Sequence, residues 1–339
     1  MRRSGPWTAL CAVFLVALVP GCGGDDESSS KDARNIRLAA VIKGLDNPFF
    51  RTMRDGLVAT ARHHDAQLRV AAAPSGLQDT TGQSTDLENL ATDPLSCVVV
   101  NPITPTNLVS ALARLPDETP IVNVDSVVDK EALETVGGEI TTYIGTDNEA
   151  AGGLGADAMA GLVDRGDKVA VVAGIPGDVG SGARSRGFEQ GVRGRFEVVE
   201  TVAADFERAK ARLAAAEVLH AHPDIAGFFA VNDLMALGVA DAVKAAGRRG
   251  EVAVIGFDGI RQALTAIEKG ALTGTVAQYP YAMGQLAVEA CLAAVRGESL
   301  PANVDAPAQV VTGENIARAL DNFPQPVTQF RSPLGDLVD

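Results

Sequence analysis

The stretch IRLAAVIKGLDNPFF, residues 36–50, decides the fold. Its first half, IRLAAVIK, is a short apolar run of the kind that forms a strand buried on both faces. The second half changes period. Asn47 is a capping residue type, and Pro48 suits a first helical turn, where its missing N–H costs nothing. A helix is expected from about 48 to 64. The same unit recurs. QLRVAAA is a strand with a helix near 83–93, SCVVVN a strand with a helix near 106–115, and PIVNVD a strand ending at Asp125. The extended piece TYIGTD leads into a helical stretch near 147–164. Alternation then restarts with KVAVVAG, FEVVETVAA, IAGFFAVN, VAVIGFD and LTGTVAQ as strands. Helical segments near 181–194, 206–221, 233–246, 260–269 and 283–296 separate or follow them. Two such series predict an α/β protein of two doubly wound parallel-sheet lobes. The tail beyond residue 322 holds three prolines and is read as loosely attached.

A chain of 339 residues suits two domains. Its formal charge of −14 argues against a nucleic-acid partner, because phosphate binding needs a basic face. Residues 1–21 read as a leader: Arg2 and Arg3, then an apolar run from Trp7 to Val19 too short for a comfortable membrane span. LVPGC then ends at Cys22, which resembles a bacterial lipoprotein cleavage site and would leave that thiol to carry lipid. The plain alternative is a secretory signal in which Cys22 is incidental. Residues 22–35 have the composition of a flexible tether. Cys97 and Cys291 lie in apolar patterns and read as small buried hydrophobes, with a disulfide open to them in an oxidising compartment. There is no CxxC, no metal-ligand spacing and no Walker loop, so no metal and no cofactor is expected.

Ligands of open parallel sheets sit at the carboxyl ends of strands. Those ends carry Lys43, Asp125, Asn232, Asp258 and Gln278, and Arg186 follows another strand in GDVGSGARSRG. Any one of these reads best as a cap or a solvated loop residue; together they read as a site. With Asn47, Phe49, Phe50 and Phe206 the set combines acceptors, donors, amides and flat apolar faces. A polyhydroxylated ring needs that combination. Its hydroxyls donate and accept, charged partners strengthen those bonds, and aromatic rings cover its C–H faces.

The chain resembles the periplasmic sugar-binding proteins of the ribose/allose type, the solute receptors of ABC importers, from about residue 36 to 318. The resemblance rests on the joint order of NPFF, NVDSVVD, IGTDN, GARSRGFEQG, AADFERAKA, AHPDIAGFFAVNDLMALG, VIGFDG and GTVAQYP. It implies sugar contacts from Asn47, Phe49, Phe50, Asp125, Arg186, Phe206, Asn232, Asp258 and Gln278, with Arg184 a second candidate on the Arg186 helix. Ser126 stands where ribose receptors usually carry arginine. Lys43 replaces a small polar residue and resembles the allose type, whereas Phe50 and Phe206 replace the tryptophans common there. An allose-like pyranose is therefore the first expectation and ribose the second, with a ketose or sugar alcohol open. The resemblance also implies three crossings between lobes, near 145–147, 278–279 and 306–307. The lobes would then be residues 36–146 with 279–306, and 147–278 with 307–322, leaving a tail of 323–339. Its implied partners are a monosaccharide and an ABC permease, and its implied place is outside the cytoplasm, as a monomer tethered by lipid on Cys22.

Three other readings carry less. Sugar-responsive repressors share the two-lobe core but begin with a DNA-binding helix-turn-helix, which is missing here. A receptor feeding a membrane sensor kinase would use the same pocket. For an enzyme, GGLGADA at 152–158 approximates a dinucleotide motif but lies inside a helical pattern, where close helix packing explains it better. His63, His64, His220 and His222 fall near helix ends. Asp125 and Asp258 could form a glycosidase pair, yet the surrounding donors suit binding.

Overall fold

The computed structural model describes residues 36–338, together with Met1 and Gly5. Cys22 and the tether lie outside the described residues, as does nearly all of the leader.

The first lobe begins with β1 (Arg37–Ile42), α1 (Pro48–His63), β2 (Gln67–Ala72), α2 (Thr80–Leu90), β3 (Cys97–Val100) and α3 (Val109–Leu112). It continues through β4 (Ile121–Val124), α4 (Lys130–Thr135) and β5 (Thr142–Gly145). The chain then enters the second lobe through α5 (Asn148–Ala160), β6 (Lys168–Ala173), α6 (Val179–Val192) and β7 (Glu197–Ala203). There follow α7 (Arg208–Ala221), β8 (Ile225–Ala230), α8 (Asp233–Ala245), β9 (Ala253–Asp258), α9 (Arg261–Glu268) and β10 (Gly274–Ala277). It returns to the first lobe for α10 (Pro280–Val295) and β11 (Asn303–Asp305), then crosses back for β12 (Gln309–Thr312) and α11 (Ile316–Asn322).

The first sheet runs β11-β5-β4-β3-β1-β2 and is parallel throughout. The second runs β12-β10-β9-β8-β6-β7, parallel except for its edge strand β12. Burial on both faces explains the strand sequences. Cys97-Val98-Val99-Val100 is buried at every position. Alternate residues serve opposite faces: Cys97 and Val99 join the core under α1 and α10, whereas Val98 and Val100 join a second cluster with Leu87, Leu108, Leu112 and Leu133. Helix α10 is buried nearly all round, which its run of alanines and leucines permits. The helix expected near 106–115 shortens to one turn, because the Asn107 side chain takes the backbone N–H of Thr104 into a local turn beside Pro105.

Two sequence expectations change. Cys97 and Cys291 are buried, but they are bonded as a disulfide joining β3 to α10, with Cα atoms 5.6 Å apart. The tail is not loosely attached. Leaving α11 on the second lobe, it runs back to the first and buries Val327, Leu334 and Val338. The Val327 N–H donates to the Tyr279 hydroxyl, Ser332 donates to the Glu289 carboxylate on α10, and Arg296 donates to the Leu337 carbonyl. Its apolar residues are too sparse among prolines to show a period, so the docking left no sequence pattern. Besides the crossings at 146–147, 278–279 and 306–308, the tail is thus a further link between the lobes.

Candidate functional site

A cavity of about 540 Å³ opens between the lobes at the carboxyl ends of both sheets. Lys43, Asn47, Phe49, Phe50, Asp125, Phe206, Asn232, Asp258 and Gln278 all line it.

On the first lobe, the Asn47 side-chain Oδ1 accepts the Phe49 N–H at 2.9 Å and caps α1, which leaves the Nδ2 N–H groups for other partners. Phe49 and Phe50 meet edge to face with centroids 5.2 Å apart. The Lys43 ammonium stands 5.7 Å from the Phe50 centroid and donates to Ser126 Oγ at 2.7 Å. Ser126 Oγ in turn donates to Asp125 Oδ2 at 3.3 Å, and Asn101 Nδ2 donates to the same oxygen at 2.9 Å. Among the described residues Lys43 makes no ion pair, so neutral groups separate its charge from Asp125. Asp125 holds a φ of 62°, in the left-handed region. Such a conformation persists only where its surroundings over-determine it.

On the second lobe the charges meet directly. Arg184 Nε donates to Asn148 Oδ1 at 2.7 Å, and Nη1 donates to the Val231 carbonyl at 2.9 Å and reaches Asp258 Oδ1 at 3.5 Å. The guanidinium carbon lies 4.0 Å from the Phe257 ring centroid. Gln278 Nε2 donates to Asp258 Oδ1 at 2.7 Å, while Gln278 Oε1 is buried without a protein partner. Asn232 caps α8 by accepting the Met235 N–H at 2.9 Å. Phe206 lines the wall at a φ of 61°, and Asp258 has a φ of 122°. Burial raises the Asp258 carboxyl to about 7; Asp125 adds to the rise, and Arg184 and Gln278 pull against it.

Arg186 does not join the site. It pairs with Glu149 on α5 at 3.4 Å, with its side chain largely in solvent. Positions two apart on a helix differ by roughly 200° in direction, so only one of the two arginines can face the cavity. That one is Arg184. The glycines of GGLGADA serve packing: a Cβ on Gly152 would lie 2.2 Å from the Arg184 carbonyl oxygen of α6.

Several supporting residues carried no sequence signal of their own. Asn148 holds Arg184, and Asn101 and Ser126 hold Asp125. Tyr143 lines the cavity. Asp233 is fully buried below Asp258, accepting from the Ile260 N–H at 2.8 Å and from Thr275 Oγ1 at 2.7 Å. Burial first, and Asp258 second, hold its carboxyl well above the usual carboxylate range. Among the described residues no cluster of His, Cys, Asp and Glu could hold a metal ion, and no helix is long and apolar enough to cross a membrane.

The profile of the periplasmic binding protein domain matches residues 38–299. A ribose import binding protein of Bacillus subtilis is 30% identical over 286 residues, covering 84% of this chain and 90% of that one. A D-allose-binding periplasmic protein of Escherichia coli is 34% identical over 250 residues, covering 73% of this chain and 80% of that one. Among solved structures, an ABC transporter periplasmic solute binding protein of Actinobacillus succinogenes with bound D-allose superposes with a TM-score of 0.78 at 29% identity. That match covers 84% of this chain and 99% of the other.

Proposed function

The chain belongs to the periplasmic binding protein domain family, as a binding protein and not an enzyme, and on that premise we propose that it captures a monosaccharide between its lobes and hands it to an ABC permease. An allose-like pyranose is the first expected ligand and ribose the second. The observation that carries this reading is the pair of strand-end carboxylates, Asp125 and Asp258, facing one cavity from opposite lobes. Each is flanked by a cation, an amide and an aromatic face. Unpaired donors and acceptors would be costly to bury, so such a lining rejects ligands that lack hydroxyls.

The lobes would close on the sugar by rotation about the crossings. The protein would act outside the cytoplasm, anchored by lipid on Cys22. Replacing Cys22 by serine should then move it from the membrane to the soluble fraction. The substrate test is a thermal-shift screen of residues 23–339 against aldoses, ketoses and polyols. Tryptophan fluorescence cannot serve, since the only tryptophan is Trp7. A ligand at 100 times its Kd should add about 2.7 kcal/mol to stability. Stabilisation by allose or a near epimer supports the pyranose reading; stabilisation by ribose or a polyol alone changes the substrate. Silence across the panel overturns it. Sugar uptake by a deletion strain then separates delivery to a permease from signalling to a sensor.

A further inference from the structure

The Asp125 peptide is gripped on both sides by two successive residues of β5. Its N–H donates to the Ile144 carbonyl at 2.8 Å, and its carbonyl accepts the Tyr143 hydroxyl at 2.7 Å. The first bond continues the sheet ladder. The second comes from a side chain and falls on the residue whose φ of 62° calls for an external constraint. The Tyr143 ring lies half-buried in the cavity lining and runs forward along its own strand over Gly145. A Cβ on Gly145 would lie 2.2 Å from the Tyr143 hydroxyl oxygen, so the glycine two residues on leaves the room the phenol occupies.

We propose that Tyr143 is a positioning residue for ligand recognition: its hydroxyl pins the Asp125 carbonyl, holds that residue left-handed and thereby aims its carboxylate into the cavity. The phenol has one O–H, and it donates that to the Asp125 backbone carbonyl. Its oxygen therefore meets any ligand as an acceptor only, which favours a sugar with a hydroxyl directed at Tyr143. The phenol stays protonated throughout the working range, because burial and the Asp125 charge both raise it. The role belongs to the residue pair Tyr143 and Gly145, so Gly145→Ala should disturb the same bond by displacing the ring.

The inference rests on the sugar-receptor reading for its ligand arm, and a second arm needs no ligand. In the unliganded protein, the three-bond HN–Hα coupling of Asp125 reports its φ. Tyr143→Phe and Gly145→Ala should both change that coupling, with strands far from the site undisturbed. In the ligand arm, Tyr143→Phe should weaken binding of the best sugar about tenfold, the scale of one hydrogen bond. In an Asp125→Asn background the same change should cost little, because Tyr143 acts through Asp125. A tyrosine that merely braces the lobe would lower Tm and cost the same affinity in both backgrounds. That result, an unaltered Kd, or an unaltered Asp125 coupling in Tyr143→Phe overturns the proposal. If no sugar binds the wild type, the receptor reading falls, and the coupling measurement alone decides the positioning role.

Discussion

The two lobes solve one problem in different ways. Each ends a central strand in an aspartate at positive φ, Asp125 on one side and Asp258 on the other. The first lobe keeps its cation away from the carboxylate and bridges them with Ser126. The second brings Arg184 against Asp258 and buries both, with side chains 10% and 6% exposed. A buried ion pair is fixed in geometry and costly to break, whereas a neutral bridge can rearrange cheaply. The second lobe therefore locks carboxylate and cation together, whereas the first pins Asp125 and leaves the Lys43–Ser126 bridge as its adjustable part.

Arginine replacements test this contrast most severely. Arg184→Ala leaves Asp258 buried with its cation gone; the carboxyl, already raised to about 7, then takes up a proton, so the loss of stability should fall below the roughly 3–5 kcal/mol of an uncompensated buried charge. Sugar affinity measured by calorimetry should fall at least a hundredfold and Tm should drop. Arg186→Ala removes only a surface pair with Glu149 and should change neither by more than the error of measurement.

Asparagine replacements come next, because each lobe starts a ligand-facing helix with an asparagine cap. Asn47→Ala should cost about 1 kcal/mol of stability through α1, besides weakening sugar binding about tenfold. Asn47→Ser keeps a capping oxygen and removes the amide. It should recover the stability and not the affinity, which denaturant titration and calorimetry together would show.

The difference should also appear as pH dependence. Asp258 is raised from 3.8 to about 7 on folding. A group raised in the folded state contributes its full stability below its unfolded pKa and loses it as pH climbs through the folded value. The unliganded protein should therefore lose stability between about pH 4 and 7. Asp258→Asn should reduce that slope in a Tm-against-pH series, with buried Asp233 carrying what remains, and Asp125→Asn should ease it only slightly.

The smallest effect concerns the tail. Deleting residues 324–339 removes the link from α11 to α10 and should let the unliganded lobes part further. Small-angle scattering should give a slightly larger radius of gyration without sugar and the wild-type value with it.

The alternation of apolar runs with helices was enough to reveal both sheets, because strands such as Cys97–Val100 are buried on both faces and tolerate nothing polar. The strand-end rule likewise found Lys43, Asp125, Asn232, Asp258 and Gln278, since topology alone brings those ends to one edge. Helical phase was the weak point. RSR presents two arginines, and only the packing of α6 on α5 says which one turns inward. Asn101, Tyr143 and Asp233 stayed hidden for another reason: their bonds run to residues that lie near them only after folding.

The disulfide carries one more consequence. Cys97 and Cys291 are 194 positions apart, and the chain between them includes the second lobe from α5 to β10 and the crossings at 146–147 and 278–279. That part of the lobe is an inserted arc of a covalent ring, with only β12 and α11 outside it. A protease that clips one of its exposed turns, such as the one around Gly247 and Gly250, would open the ring without releasing a fragment. The clipped protein should migrate as one species until a reductant is added, and as two afterwards. The same closure makes such a turn a natural place for new termini, because the old and new ends would remain joined through sulfur.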